Sequence, residues 1–113
     1  MVDTVKYLSA TTLIGDKIEN PQHESLGDLK EIMLNTTSGK IEYAVLSFGG
    51  VLGMGSKLFA VPWSALSVDH VRKTVVLNVS KDRLKDAPGF DKDNWPNFAD
   101  PAFAQTLNTY YAR

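Results

Sequence analysis

Apolar positions fall in short, strand-like runs along roughly the first eighty residues, then give way to turn-rich sequence and one helical period. The clearest run is Ile41 to Phe48. Ile41, Tyr43 and Val45 occupy one face of an extended strand, and Ala44, Leu46 and Phe48 the other, so both faces are apolar beyond Glu42. A strand of this kind needs cover on both sides, core beneath it and a second layer outside. Lys57 to Trp63 predicts a further strand, and Pro62, which has no N–H for a ladder, puts its end at an edge or closure point. Leu66 to His70 and Thr74 to Val79 predict a hairpin across Asp69 to Lys73.

Upstream, Lys17 to Glu19 begins a first strand and Ser25 to Thr36 reads as a second. In that second strand Ile32 and Leu34 interrupt the alternation set by Leu29 and Met33, and Gly27 marks a bulge or a close backbone approach. About six short strands follow one another with no room for crossover helices, which predicts a mainly β fold, a small antiparallel barrel. Asn20-Pro21-Gln22-His23 and Thr37-Ser38-Gly39-Lys40 supply turns.

Three short helical segments punctuate this plan. Ser9 caps a turn over Ala10 to Ile14, with Gly15 as its left-handed exit, and Ser80 caps another over Lys81 to Asp86 that Ala87-Pro88-Gly89 ends. Phe90 to Phe98 predicts an irregular aromatic segment wrapped on the barrel. Asp100, followed by Pro101 at the first helical position, opens a terminal helix with Phe103, Leu107 and Tyr110 or Tyr111 on one face, suited to cover the outer side of the sheet. The expected organisation is one domain over residues 1–113, a barrel over about 9–80 and a tail with the helix over about 81–113.

The composition narrows the function classes. Twelve lysines and arginines stand against 13 aspartates and glutamates, a net charge of −1, so there is no sequence-wide basic excess for nucleic-acid phosphates. With no cysteine, disulfides, thiolate nucleophiles and Cys-type zinc sites are excluded, and a reducing compartment is compatible. Neither a signal-peptide pattern nor an apolar run of spanning length occurs, which predicts a cytoplasmic protein with no direct membrane insertion. The two sequons, Asn35-Thr36-Thr37 and Asn78-Val79-Ser80, then have no route to glycosylation.

Candidate chemistry dissolves on inspection. Gly50 to Lys57 nearly imitates a phosphate loop, but serine precedes lysine and a strand, not a helix, follows; Gly53-x-Gly55 begins a dinucleotide fingerprint in which Leu58 takes the third glycine's place. The glycines serve a shaped connection. His23 and His70 lie in different turns and read as exposed turn residues, not metal ligands. Asp91-x-Asp93-Asn94 has calcium-like acidity but lacks the glycine and distal glutamate of an EF-hand loop, so a turn or cap is expected. No G-x-S-x-G elbow exists. Catalytic, cofactor-binding and metal-binding residues are therefore expected to be none. A gathering of Lys40, Lys57, Arg72 and Lys73 is the one route to an RNA-binding surface, with Glu42 and Asp69 beside it. Apolar Val51, Leu52 and Met54 at the loop tip instead predict a contact with a partner.

In order along the chain, Leu13-Ile14-Gly15, Asn20, Glu24-x-Leu26-Gly27, Gly39-x-Ile41-x-Tyr43-Ala44-Val45, Phe48-Gly49-Gly50, Gly53-x-Gly55 and Ala60-Val61-Pro62-Trp63-x-Ala65-Leu66 form a series that resembles the PRC-barrel domain family. The resemblance covers about residues 10–80, and the tail through Trp95-Pro96 looks like that of stand-alone bacterial members. One departure is His23, where the family's N-x-x-G-E turn carries glycine. The resemblance implies a PRC-type barrel with no catalytic residues to carry over. Its family settings, the reaction-centre H subunit capping a membrane photosystem and the C-terminal domain of a ribosome-maturation factor, imply a protein-interaction module. The expected partners are a second copy of the chain and an unidentified protein, met through Val51, Leu52 and Met54 or through Phe103, Leu107, Tyr110 and Tyr111. The alternatives are an accessory RNA-processing or ribosome-assembly binder and a photosystem- or membrane-complex-associated accessory protein.

Overall fold

A computed structural model describes residues 7–49, 57–69 and 71–112. Ser9 caps α1 (Ala10–Leu13), its hydroxyl accepting the Thr12 N–H at 3.2 Å. Strands β1 (Lys17–Glu19), β2 (Ser25–Leu34), β3 (Ile41–Phe48) and β4 (Lys57–Pro62) follow, and a 3₁₀ turn over Trp63–Ala65 leads into the hairpin β5 (Leu66–Asp69) and β6 (Thr74–Leu77). Beyond it lie α2 (Lys81–Lys85), capped by Ser80, a two-residue β7 (Gly89–Phe90) and α3 (Pro101–Tyr111). Asp100 caps α3, its carboxylate accepting the Ala102 N–H at 2.9 Å. Strand β2 stops at Leu34, two residues short of the expected end, because the Asn35 side chain accepts the Thr37 and Ser38 N–H groups and turns the chain.

The predicted β architecture holds, but three features differ from the expected barrel of about six antiparallel strands. Among the described residues there are seven strands, in the order β5-β6-β1-β2-β3-β4-β7. One pairing is parallel: β1 meets β6 with Ile18 opposite Val75 and Glu19 opposite Val76, which makes the sheet mixed. A parallel pair needs a long connection, and here the whole meander from β2 to β5 supplies it in place of a crossover helix. No ladder joins β5 to β7 among the described residues, so the sheet is open. Strand β7 escapes sequence reading because two residues after Pro88 carry no period. It exists through its partners, Leu58 opposite Phe90 and Phe59 opposite Gly89.

Both faces of β3 are buried, as its apolar pattern requires. Directly opposed residues of antiparallel strands share a face. Ala44 with Val61 and Leu46 with Phe59 therefore point one way, joined by Leu29 opposite Leu46, into the core beside Ile18, Val75 and Leu77. Tyr43 with Pro62 and Val45 with Ala60 point the other way. That outer side is closed by the tail: the rings of Phe98 and Phe103 lie 5.3 and 6.1 Å from Tyr43, and α3 packs on β4.

Two local devices set the sheet's geometry. Strand β2 crosses β3 so closely at Gly27 (φ +107°) that a Cβ there would lie 2.0 Å from the Ser47 carbonyl oxygen. Asn20, 1% exposed, organises the β1–β2 turn. Its Oδ1 accepts the Gln22 and Glu24 N–H groups at 3.1 and 2.9 Å, while its Nδ2 donates to Glu24 Oε1 at 2.7 Å and to the Val79 carbonyl at 3.2 Å. The asparagine thus ties the turn to the chain leaving β6.

Candidate functional site

The end of β2, the start of β3 and the tail enclose a cleft of about 280 Å³, lined by Met33, Leu34, Asn35, Glu42, Tyr43 and Phe98 among others. Its shape begins with an irregularity. The β2–β3 register shifts between Met33 and Leu34, and such a bulge re-aims the side chain that follows it. Leu34 is left 54% exposed at the cleft's edge, and Trp95 is 41% exposed on the tail side. Phe98 connects them, since it lines the cleft and its ring lies 6.2 Å from that of Trp95. Trp95 also rests 5.1 Å from Phe90, which fixes the indole against the sheet's edge strand.

Polar groups occupy the rim. Asn35 Nδ2 donates to Glu42 Oε2 at 3.2 Å, holding the carboxylate over the cleft. Tyr43 forms the floor and also lines an adjoining cleft of about 380 Å³ with Trp63, Ala104 and Asn108. Burial, and secondarily the Glu42 charge, raise the Tyr43 phenol above its ordinary range, so it stays a neutral hydrogen-bonding group. A cleft lined by the Tyr43 and Phe98 rings, with an exposed leucine edge and one carboxylate, suits an apolar side chain flanked by a cation, held by desolvation.

The sequence-predicted surfaces are distributed differently. Val51, Leu52 and Met54 lie outside the described residues, as does His70. Leu107 is 0% and Tyr111 4% exposed, so the stripe of α3 is consumed in docking on the sheet and is not offered to a partner. Phe103 and Tyr110 are half-buried, Phe103 in the aromatic layer and Tyr110 against Arg83. The four cations do not gather: Lys40 precedes β3 and Lys57 pairs with its last residue, Phe48, which separates them by the length of an eight-residue strand. Arg72 pairs with Glu19 at 2.9 Å in another turn, next to Lys73. His23 is an exposed turn residue with φ 67°, and its ring nitrogen lies 3.7 Å from Glu19. Asp91 accepts the Asn94 N–H at its carbonyl, forming a turn.

Sequence reading missed the Leu34 and Trp95 surface. In the sequence Leu34 shows only as a residue that spoils the alternation of β2, and Trp95 only as part of the aromatic segment wrapped on the barrel. Among the described residues no group of three or more histidines and carboxylates is placed to hold a metal, and no helix is long and apolar enough to cross a membrane.

A mixed β-sheet with a helical cover and an apolar surface cleft is the class of protein that this fold and site define. The PRC-barrel domain family matches residues 6–84, and the chain belongs to that family. Among solved structures, one described as a 16S ribosomal RNA processing protein, RimM, from Pseudomonas aeruginosa is similar at 13% identity and a TM-score of 0.44, over 72% of this chain and 50% of that one. This chain thus matches half the length of that protein. Comparison with curated proteins gives no match.

Proposed function

We propose that this PRC-barrel protein is a non-enzymatic interaction module that holds a protein partner through the surface formed by Leu34, Phe98 and Trp95. The observation that carries this reading is the exposure of Leu34 at the rim of the cleft and of Trp95 beside Phe98, which lines it. Large apolar side chains clustered at the surface cost free energy in water that a docked partner recovers. The partner chemistry that fits is an apolar side chain beside a lysine or arginine, facing Glu42.

Affinity capture from the native cell with wild-type and Leu34→Asp baits, followed by mass spectrometry, tests it. The reading expects a defined set of proteins on the wild-type bait that is missing from the variant. Identical sets on both baits would remove this surface from consideration. Light scattering at micromolar concentration tests whether the partner is a second copy; a monomer mass excludes the homodimer. RNA carries no observation in its favour among the described cations, and it remains as an outcome: capture of RNA that weakens steeply with salt would transfer the function to nucleic-acid binding.

A further inference from the structure

Glu42 and Tyr43 line two clefts, the one at Leu34 and an adjoining one of about 380 Å³ between the start of β3, the 3₁₀ turn and α3. Trp63, Ser64 and Asn108 wall the second. Its polar groups are unspent. Asn35 holds Glu42 Oε2, which leaves Oε1 without a partner among the described residues, and no cation there pairs with this carboxylate. The Tyr43 hydroxyl, on a residue only 7% exposed, has no hydrogen-bond partner among them, and neither has the side chain of Ser64 or of Asn108. These groups converge beside the half-buried Trp63 ring. A carboxylate held in place without a counter-charge, next to an aromatic face, is the complement of a cation.

We infer that this second cleft seats an arginine side chain of the protein partner, its guanidinium donating to Glu42 and to the Asn108 amide oxygen while it lies on the Trp63 ring. The cleft at Leu34 then takes the neighbouring apolar side chain of the same segment. Arginine fits better than lysine, because a planar fork of five N–H donors reaches several acceptors at once and stacks on an aromatic face, whereas an ammonium is a strongly hydrated point charge. A volume of about 380 Å³ stands near the small end of the ~300–1,000 Å³ of ligand pockets, which suits a side chain and not a large cofactor. Tyr43, kept protonated by burial and by the Glu42 charge, stands between the two clefts as a neutral hydrogen-bonding group.

Because this cleft adjoins the Leu34 surface, its role rests on the interaction-module reading, and the experiment separates the two. The probe is Nα-acetyl-argininamide, titrated into the isotope-labelled 113-residue protein, with the indole N–H resonances of the two tryptophans as separate reporters, assigned with Trp95→Phe. The Trp63 resonance shifts saturably, with an affinity in the millimolar range, while that of Trp95 stays in place. Acetyl-lysinamide binds about tenfold more weakly, and acetyl-citrullinamide, the neutral isostere, gives no saturable shift. Glu42→Gln, at an exposed position, lowers argininamide affinity about tenfold or more, and Asn108→Ala lowers it several-fold, with the rest of the spectrum unchanged in both. No saturable Trp63 shift up to ~50 mM probe, an equal response to the citrulline probe, or undiminished binding in Glu42→Gln overturns the inference. A Trp63 response without Leu34-dependent capture removes the Leu34 surface alone, and Leu34-dependent capture without a Trp63 response removes this cleft alone.

Discussion

Arg83 and Tyr110 hold each other in both directions: the Arg83 guanidinium donates to the Tyr110 carbonyl, and the Tyr110 hydroxyl donates to the Arg83 carbonyl. The guanidinium carbon also sits 4.3 Å from the centre of the tyrosine ring. One side chain from α2 thereby serves the C-terminal end of α3, where unsatisfied carbonyls favour a cation. The contact joins α2, where the family match ends, to the terminal helix.

Replacing Arg83 by alanine removes a charged hydrogen bond and a cation–π contact at an exposed site, a loss of about 1 kcal/mol. Lysine recovers little of it, because an ammonium cannot stack flat on the ring while donating to the carbonyl. Chemical denaturation of both variants measures the loss.

Asn20→Ala is expected to cost about 2–3 kcal/mol, since it strips the Val79 carbonyl and the Glu24 N–H of their side-chain partner in a closed turn. Asn20→Asp does not restore the stability. It replaces the donor with a carboxylate oxygen facing Glu24 and the Val79 carbonyl. Thermal unfolding at pH 7 ranks the two variants below wild type.

Gly27→Ala drives a methyl into the Ser47 backbone carbonyl at a backbone angle that alanine disfavours, and a loss of more than about 3 kcal/mol is expected. His23→Gly acts in the opposite sense. It relieves a left-handed residue with φ 67°, for a gain of about 0.5–1 kcal/mol after glycine's entropic cost. A His23→Gly protein less stable than wild type would show that the ring's contact with Glu19 outweighs the strain.

Burial, then the neighbouring Tyr110, raise the Tyr111 phenol well above its ordinary 10.0, with Arg83 opposing. Below pH 10 the group is neutral in folded and unfolded chains alike. Above it the unfolded chain releases the proton first, so stability falls as pH rises. Unfolding midpoints between pH 9 and about 11 should decline less steeply in Tyr111→Phe than in wild type. The same variant, freed of a buried orphan hydroxyl, is expected to gain about 1 kcal/mol near neutral pH.

Local chemistry made much of the fold legible. Ser9, Ser80 and Asp100 cap the helices they were expected to cap, and Gly27 marks the close approach that its place in β2 implied. Each depends on neighbours a few residues away or on the absence of a side chain. The candidate site was less legible, because Leu34 is turned outward by a bulge whose existence depends on the β3 partner, and Trp95 is placed by contacts with Phe90 and Phe98.

By itself the sequence determined that β3 would be covered on both faces, that the tail would end in a capped helix with one apolar stripe, and that the family is the PRC barrel. Periodicity, caps and ordered motifs are short-range properties written in residue type. Only the tertiary structure decided that β1 pairs in parallel with β6, that Asn20 reaches Val79, and that Leu107 and Tyr111 are spent against the sheet while Leu34 and Trp95 stay exposed. Those outcomes compare one long-range contact with another, and the free energy of each depends on which distant surfaces the folded chain brings together.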